Sequence, residues 1–173
     1  RKTAADGTEY IDRFNISTIE YPYDELRDAT SQGFVNIAAD GDSTVRRTMP
    51  YTDYDGQAQS SFATVIYDKY MQETQGTENV IPTDANGSVM IRYTGKPGDY
   101  EVTSLCDVLD GKADVRNFAN SIVLVGAYAE GMQDAMYVPT GGSEQMYGVE
   151  VHANILQGFM DGNFPVQANR VVC

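Results

Sequence analysis

Three groups of residues in this 173-residue chain have types and spacing that could do chemistry. The first is Gly126-Ala-Tyr-Ala-Glu-Gly131, a glycine-bearing turn directly after an apolar run. Backbone N–H groups in such a turn can approach an anion. A dinucleotide-binding turn would need glycine where Tyr128 stands, and a P-loop would need lysine where Met132 stands. Glu130 and Asp134 would also repel a phosphate, so the stretch reads as a tight turn. The second group is Asp40 with Asp42, and Asp53 with Asp55 ahead of Gly56, in the Asp-x-Asp spacing that opens many calcium loops. The bidentate Glu required at the twelfth position is replaced by Tyr51 or Thr64, and turn chemistry accounts for these acids instead. The third is His152, the only histidine. It falls on the apolar stripe of a helix, where a packed histidine is expected before a base or a metal ligand.

No Ser or Cys sits in a nucleophile elbow, no second His exists to share a metal, and no carboxylate pair is set apart by its surroundings. The residues thus imply no catalytic group, no metal and no cofactor. Twelve tyrosines and no tryptophan are unusual, and Tyr128, Tyr137 and Tyr147 gather around the loops after the apolar run. An apolar ring with a polar tip suits either a small-molecule pocket or a half-exposed edge.

The element expected to position these groups is Ile122-Val-Leu-Val125. It is an unbroken aliphatic run introduced by Asn120-Ser121 and ended by Gly126, the pattern of a strand buried on both faces. Upstream, Tyr21 to Ala29 could form a short helix capped by Asp24. Phe34–Ala38 and Val45–Tyr51 read as a hairpin through Asp40-Gly-Asp-Ser43. Ser60 or Ser61 caps a helix carrying Phe62, Val65, Ile66 and Tyr70 and ending near Glu73. Val89–Tyr93 is a further strand, and Thr103 or Ser104 starts a short helix with Leu105, Val108 and Leu109, stopped at Gly111. The last helix runs from Gly148 to Met160 and closes at Gly162, with Val149, His152, Ala153, Leu156, Phe159 and Met160 on one stripe, widened by Val151 and Ile155. This order predicts a single α/β domain: a mixed, largely parallel sheet covered by helices on both faces.

Bulk composition narrows the function. With 12 Lys and Arg against 25 acids, the net charge of −13 argues against nucleic acid and anionic membrane surfaces. No apolar run approaches the roughly 18 residues of a membrane span, so a soluble piece of a longer protein is expected. Cys106 and Cys173 make no disulfide framework, and both are expected to be free.

In order, these pieces resemble the CHASE family, type two, the extracellular sensory domains associated with cyclases and histidine kinases. The resemblance rests on Gly33-Phe-Val-Asn36, Val45-Arg46-Arg47 with Pro50, Thr103 to Gly111, Ile122 to Gly126 with Asp134 and Pro139, and Gly148-Val-Glu-Val-His-Ala153. Two departures stand out. Asp42-Ser-Thr-Val-Arg46 lacks the glycine usual after the acid, and the family's early strand and helix have no counterpart before Gly33, as though the chain held the C-terminal two-thirds of the domain.

The resemblance implies residues 1–32 as a polar segment, 33–162 as the sensor core and 163–173 as a tail leading to a membrane segment of a parent receptor. It implies a non-catalytic domain on the extracellular side of the cell membrane that passes a small-molecule signal to a cytoplasmic cyclase or kinase. Because ligands commonly bind beyond the end of a buried strand, Arg46, Tyr128, Glu130 and Asp134 are the expected pocket-mouth residues. An acidic mouth favours a cationic or neutral solute. Two other readings remain open at this point: a secreted hydrolase using a metal at Asp40, Asp42 and Asp134, and a structural module by which the receptor forms a homodimer.

Overall fold

Two helices carry the core, and side-chain chemistry fixes where each begins. In the computed structural model, which describes residues 2–3, 9–10, 16–77 and 79–167, the Ser61 hydroxyl accepts the Thr64 N–H at 3.2 Å and opens the longer early helix, Phe62–Thr74. The final helix spans Gly148–Asp161 and ends at Gly162, whose φ of 61° supplies the left-handed stop. These two helices pack on each other, with Tyr67 edge-on to Phe159 at 6.1 Å between ring centroids. Val45, Ala63, Val89, Ile91, Val138, Met146, Val151, Ile155 and Leu156 complete the buried cluster. Each large aliphatic or aromatic side chain fully covered there contributes about 1.5–3 kcal/mol.

Numbered in chain order, the helices are α1 (Asp24–Ala29), α2 (Phe62–Thr74), α3 (Leu105–Leu109) and α4 (Gly148–Asp161), with a 3₁₀ turn at Val115–Phe118. The strands are β1 (Lys2–Thr3), β2 (Glu9–Tyr10), β3 (Arg47–Thr48), β4 (Tyr51–Tyr54), β5 (Gln57–Ser60), β6 (Val89–Met90), β7 (Ala135–Tyr137) and β8 (Gln145–Tyr147). They form four antiparallel pairs: β1 with β2, β3 with β6, β4 with β5, and β7 with β8. Parallel pairing among the described residues is confined to two single bridges, Phe34 with Ser61 and Thr44 with Tyr137.

The expected largely parallel sheet with helices on both faces is therefore not the fold, and the reason lies in Ile122–Val125. This run joins no ladder, and Ile122, Val123 and Val125 are 37, 52 and 73 % exposed. The strands that would have flanked it bond to one another instead: the Val45 N–H donates to the Tyr137 carbonyl at 2.8 Å, and the Ile91 N–H donates to the Arg46 carbonyl at 2.9 Å. A continuous apolar run calls for burial but does not supply a partner edge.

Two other expectations also change. Phe34–Ala38 makes no hairpin ladder with Val45–Tyr51; only the turn between them closes, by Asp40 N–H to the Thr44 carbonyl at 2.9 Å. The hairpin lies later, at β4–β5, where Asp55 and Gly56 take φ of 52° and 76° and make a two-residue reversal. The helix expected from Tyr21 starts at Asp24 with Tyr23 at its cap, and it buries none of its residues. Cys106, on α3, is exposed and free; Cys173 and the rest of residues 168–173 lie outside the described residues.

Candidate functional site

The start of α4 gathers more polar groups than its apolar stripe advertises. Helix starts leave N–H groups without intrahelical partners. Here Glu150 turns back and accepts the Tyr147 N–H at 3.3 Å through Oε2, the acidic half of a capping box. Its other oxygen accepts the Gly98 N–H at 2.9 Å. Glu150 is only 2 % exposed, so these bonds hold a charge away from water at the positive end of the helix dipole.

Asp134 closes the same corner. Its carbonyl accepts the Gly148 N–H at 2.9 Å, and its carboxylate lies against Gly148 so closely that a Cβ there would overlap it. Only glycine permits that approach. The turn after the apolar run reaches the corner as well: a Cβ on Gly126 would stand 2.7 Å from Val149 Cβ, and the Tyr128 ring lies 4.4 Å from that of Tyr147. Burial pushes the Tyr128 hydroxyl pKa up, and the neighbouring Glu150 charge pushes it further the same way. Glu130, on the same turn, is exposed.

Arg46 sits in a different cluster. It grips Asp42 with two bonds of 2.8 Å and reaches Asp40 at 3.3 Å. Arg47 bonds Asp40 at 3.1 Å and Gln167 at 2.6 Å. The Arg46 guanidinium holds the Asp42 carboxyl well below the usual carboxylate range, and Asp42 and Asp40 in turn raise Arg46. Asp42 is exposed while Arg46, Arg47 and Asp40 are half-buried, so the Arg46–Asp42 pair shapes the turn more than it stabilises the fold. The turn adjoins the corner through the bond between Val45 and Tyr137, since Tyr137 ends the strand that Asp134 leads into.

Of the four expected site residues, the fold thus brings Tyr128 and Asp134 together at α4, leaves Glu130 exposed on the same turn, and puts Arg46 in the neighbouring ion-pair cluster. Two shallow hollows enclose about 240 and 170 Å³, counting the solvent at their mouths. They are lined by Asn36, Arg47 and Ser88, and by Thr48, Arg92 and Phe164 among others, so the opening expected beside Tyr128 is neither of them. No group of three or more metal-ligating side chains is present among the described residues; Asp40 and Asp42 are occupied by arginines. Glu150 and its Gly98 partner were not anticipated from the sequence, although a Glu three positions after Tyr147 was a readable cap signal.

The result is a small α+β scaffold in which loops converge on the start of α4 around the buried Glu150 and the half-buried Asp134. The chain belongs to the CHASE2 domain family, whose model matches residues 4–172, beginning before Gly33 and ending beyond Gly162. This is a family of non-catalytic sensory domains of signalling receptors. No curated protein and no solved structure matches the chain. Among the described residues, no helix is long and apolar enough to cross a membrane.

Proposed function

We propose that this domain senses a small cationic or neutral solute on the extracellular side of the cell membrane and passes its occupancy to a cytoplasmic cyclase or kinase of the same receptor. One observation carries the reading: Tyr128 and Asp134 reach the α4 start from the loop that leaves the apolar run, where Tyr147 and Glu150 meet them, and Glu130 stands exposed on the same loop. Carboxylates and ring faces suit a cation or a polar neutral molecule. Arg46 holds the adjoining turn through Asp42 and Asp40. Residues 33–162 form the sensing core, and 163–173 lead towards a membrane segment of the parent receptor. Signalling then requires the solute to bind two arrangements of the core with different affinity.

A thermal-shift screen of cationic, neutral and anionic solutes tests this. Cationic or neutral compounds are expected to raise the melting temperature of the wild-type protein and not of Tyr128→Ala. A response to anionic phosphates alone would contradict it.

A second reading, a homodimerisation module of the receptor, is favoured by the open Ile122–Val125 run with its β-branched side chains in solvent. An unpaired apolar stretch of that kind can offer its backbone to another chain's strand. Sedimentation distinguishes the two: a stable dimer indifferent to every solute supports this reading over the first.

A further inference from the structure

His152 sits at a seam between three elements. Its ring meets Phe62, the first residue of α2, edge-on at 5.4 Å and 78°. Phe62 is itself clamped to the segment before it in space: its N–H donates to the Phe34 carbonyl at 2.9 Å, and the Phe34 N–H donates to the Ser60 carbonyl at 3.1 Å. Gly33 approaches so closely that a Cβ would stand 2.7 Å from the Phe62 backbone. The Val35 carbonyl faces the imidazole, while Nδ1 is buried with no hydrogen-bond partner.

We propose that His152 makes this seam acid-sensitive: the uncharged ring seals residues 33–36 against α2 and α4, and protonation releases them. A neutral imidazole can leave one nitrogen as a bare lone pair at modest cost. Imidazolium must donate from both nitrogens, and Nδ1 has no acceptor to receive the second proton's bond. The surrounding groups do not rescue it. Asp134, on the segment entering β7, attracts the charge, and the Val35 carbonyl favours it through one ring nitrogen only; Phe62 on α2 offers none; Glu150 on α4 is committed to Gly98 and Tyr147. Burial outweighs Asp134 and the Val35 carbonyl together, and the His152 pKa lies below its ordinary value. Because the folded state lowers this pKa, the stabilisation is fully present above about pH 6.5, the unfolded value, and is lost as pH falls through the lower native one. The device operates whichever solute the α4 corner takes, and it would let a domain facing the medium respond to acidification.

Hydrogen exchange on the full chain at pH 7.5 and pH 5.0, corrected for intrinsic rates, tests it. Wild type is expected to lose protection at residues 33–38 at the lower pH, in step with the depressed His152 pKa, while α4 keeps its own. His152→Gln should show the same protection at both values. Unchanged wild-type protection, or an equal loss in His152→Gln, would overturn the proposal. Should that variant not fold, proton NMR of the single histidine decides on wild type alone. Titration below pH 6.5 in step with the loss at 33–38 supports the proposal, and titration at or above it, or out of step with the loss, refutes it.

Discussion

Val151 and Val123 are the same side chain in two apolar stretches, yet one is 0 % and the other 52 % exposed. Val151 lies on α4, whose ladder is internal: every helix carries its own backbone hydrogen bonds, so α4 needs neighbours only for its side chains. It finds them in α2, β8 and the Val45 segment. Val123 lies in a run outside any helix or strand, whose backbone must borrow bonds from another segment before its side chains can be covered. The strands that could lend them are spent on each other. Apolar composition thus measures the demand for burial, and topology decides whether it is met.

The largest test of this contrast is at the buried end. Phe159→Ala removes a ring that touches Tyr67 and Phe164 and is 1 % exposed, so it should cost about 3–5 kcal/mol in urea unfolding. Matched truncations then sharpen the comparison. Val151→Ala should cost about 1.5–3 kcal/mol, whereas Val123→Ala should stay within about 0.5 kcal/mol of wild type. Equal losses at the two positions would break the account.

Gly148→Ala probes the corner where the two regions meet. Its new Cβ must displace the Asp134 carboxylate, for an expected loss of about 1–3 kcal/mol. A variant as stable as wild type, with Asp134 unmoved by NMR, would mean that the contact is looser than described. Ser61→Ala, which removes the α2 cap, should lower stability by about 1 kcal/mol and leave α4 protection intact.

How much of this was legible in the sequence follows from the range of the interactions involved. The α2 and α4 boundaries were readable because Ser61, Gly162 and the apolar spacing act within a few residues of themselves. The β4–β5 hairpin was missed although Asp55-Gly56 marks its turn, because Tyr-Thr-Asp-Tyr and Gln-Ala-Gln-Ser show no clean apolar face. Tyr128 and Asp134 entered the expected site through the loop after the apolar run, but their meeting at the α4 start is a tertiary contact that no local pattern encodes. Glu150 could not be matched to Gly98 in advance, since 52 residues separate them and nothing local to either names the other. The expected parallel sheet failed for the same reason: pairing Ile122–Val125 is a long-range event that no local pattern encodes.

Hydrogen exchange of the free protein at neutral pH bears most directly on the claim that a closed helical core stands beside an unpaired apolar run. Amides of residues 151–159 should be protected near the limit of global unfolding, while those of 122–125 exchange at close to the intrinsic rate. Protection of 122–125 matching that of α4 would contradict the account, because it would place the run inside a sheet after all.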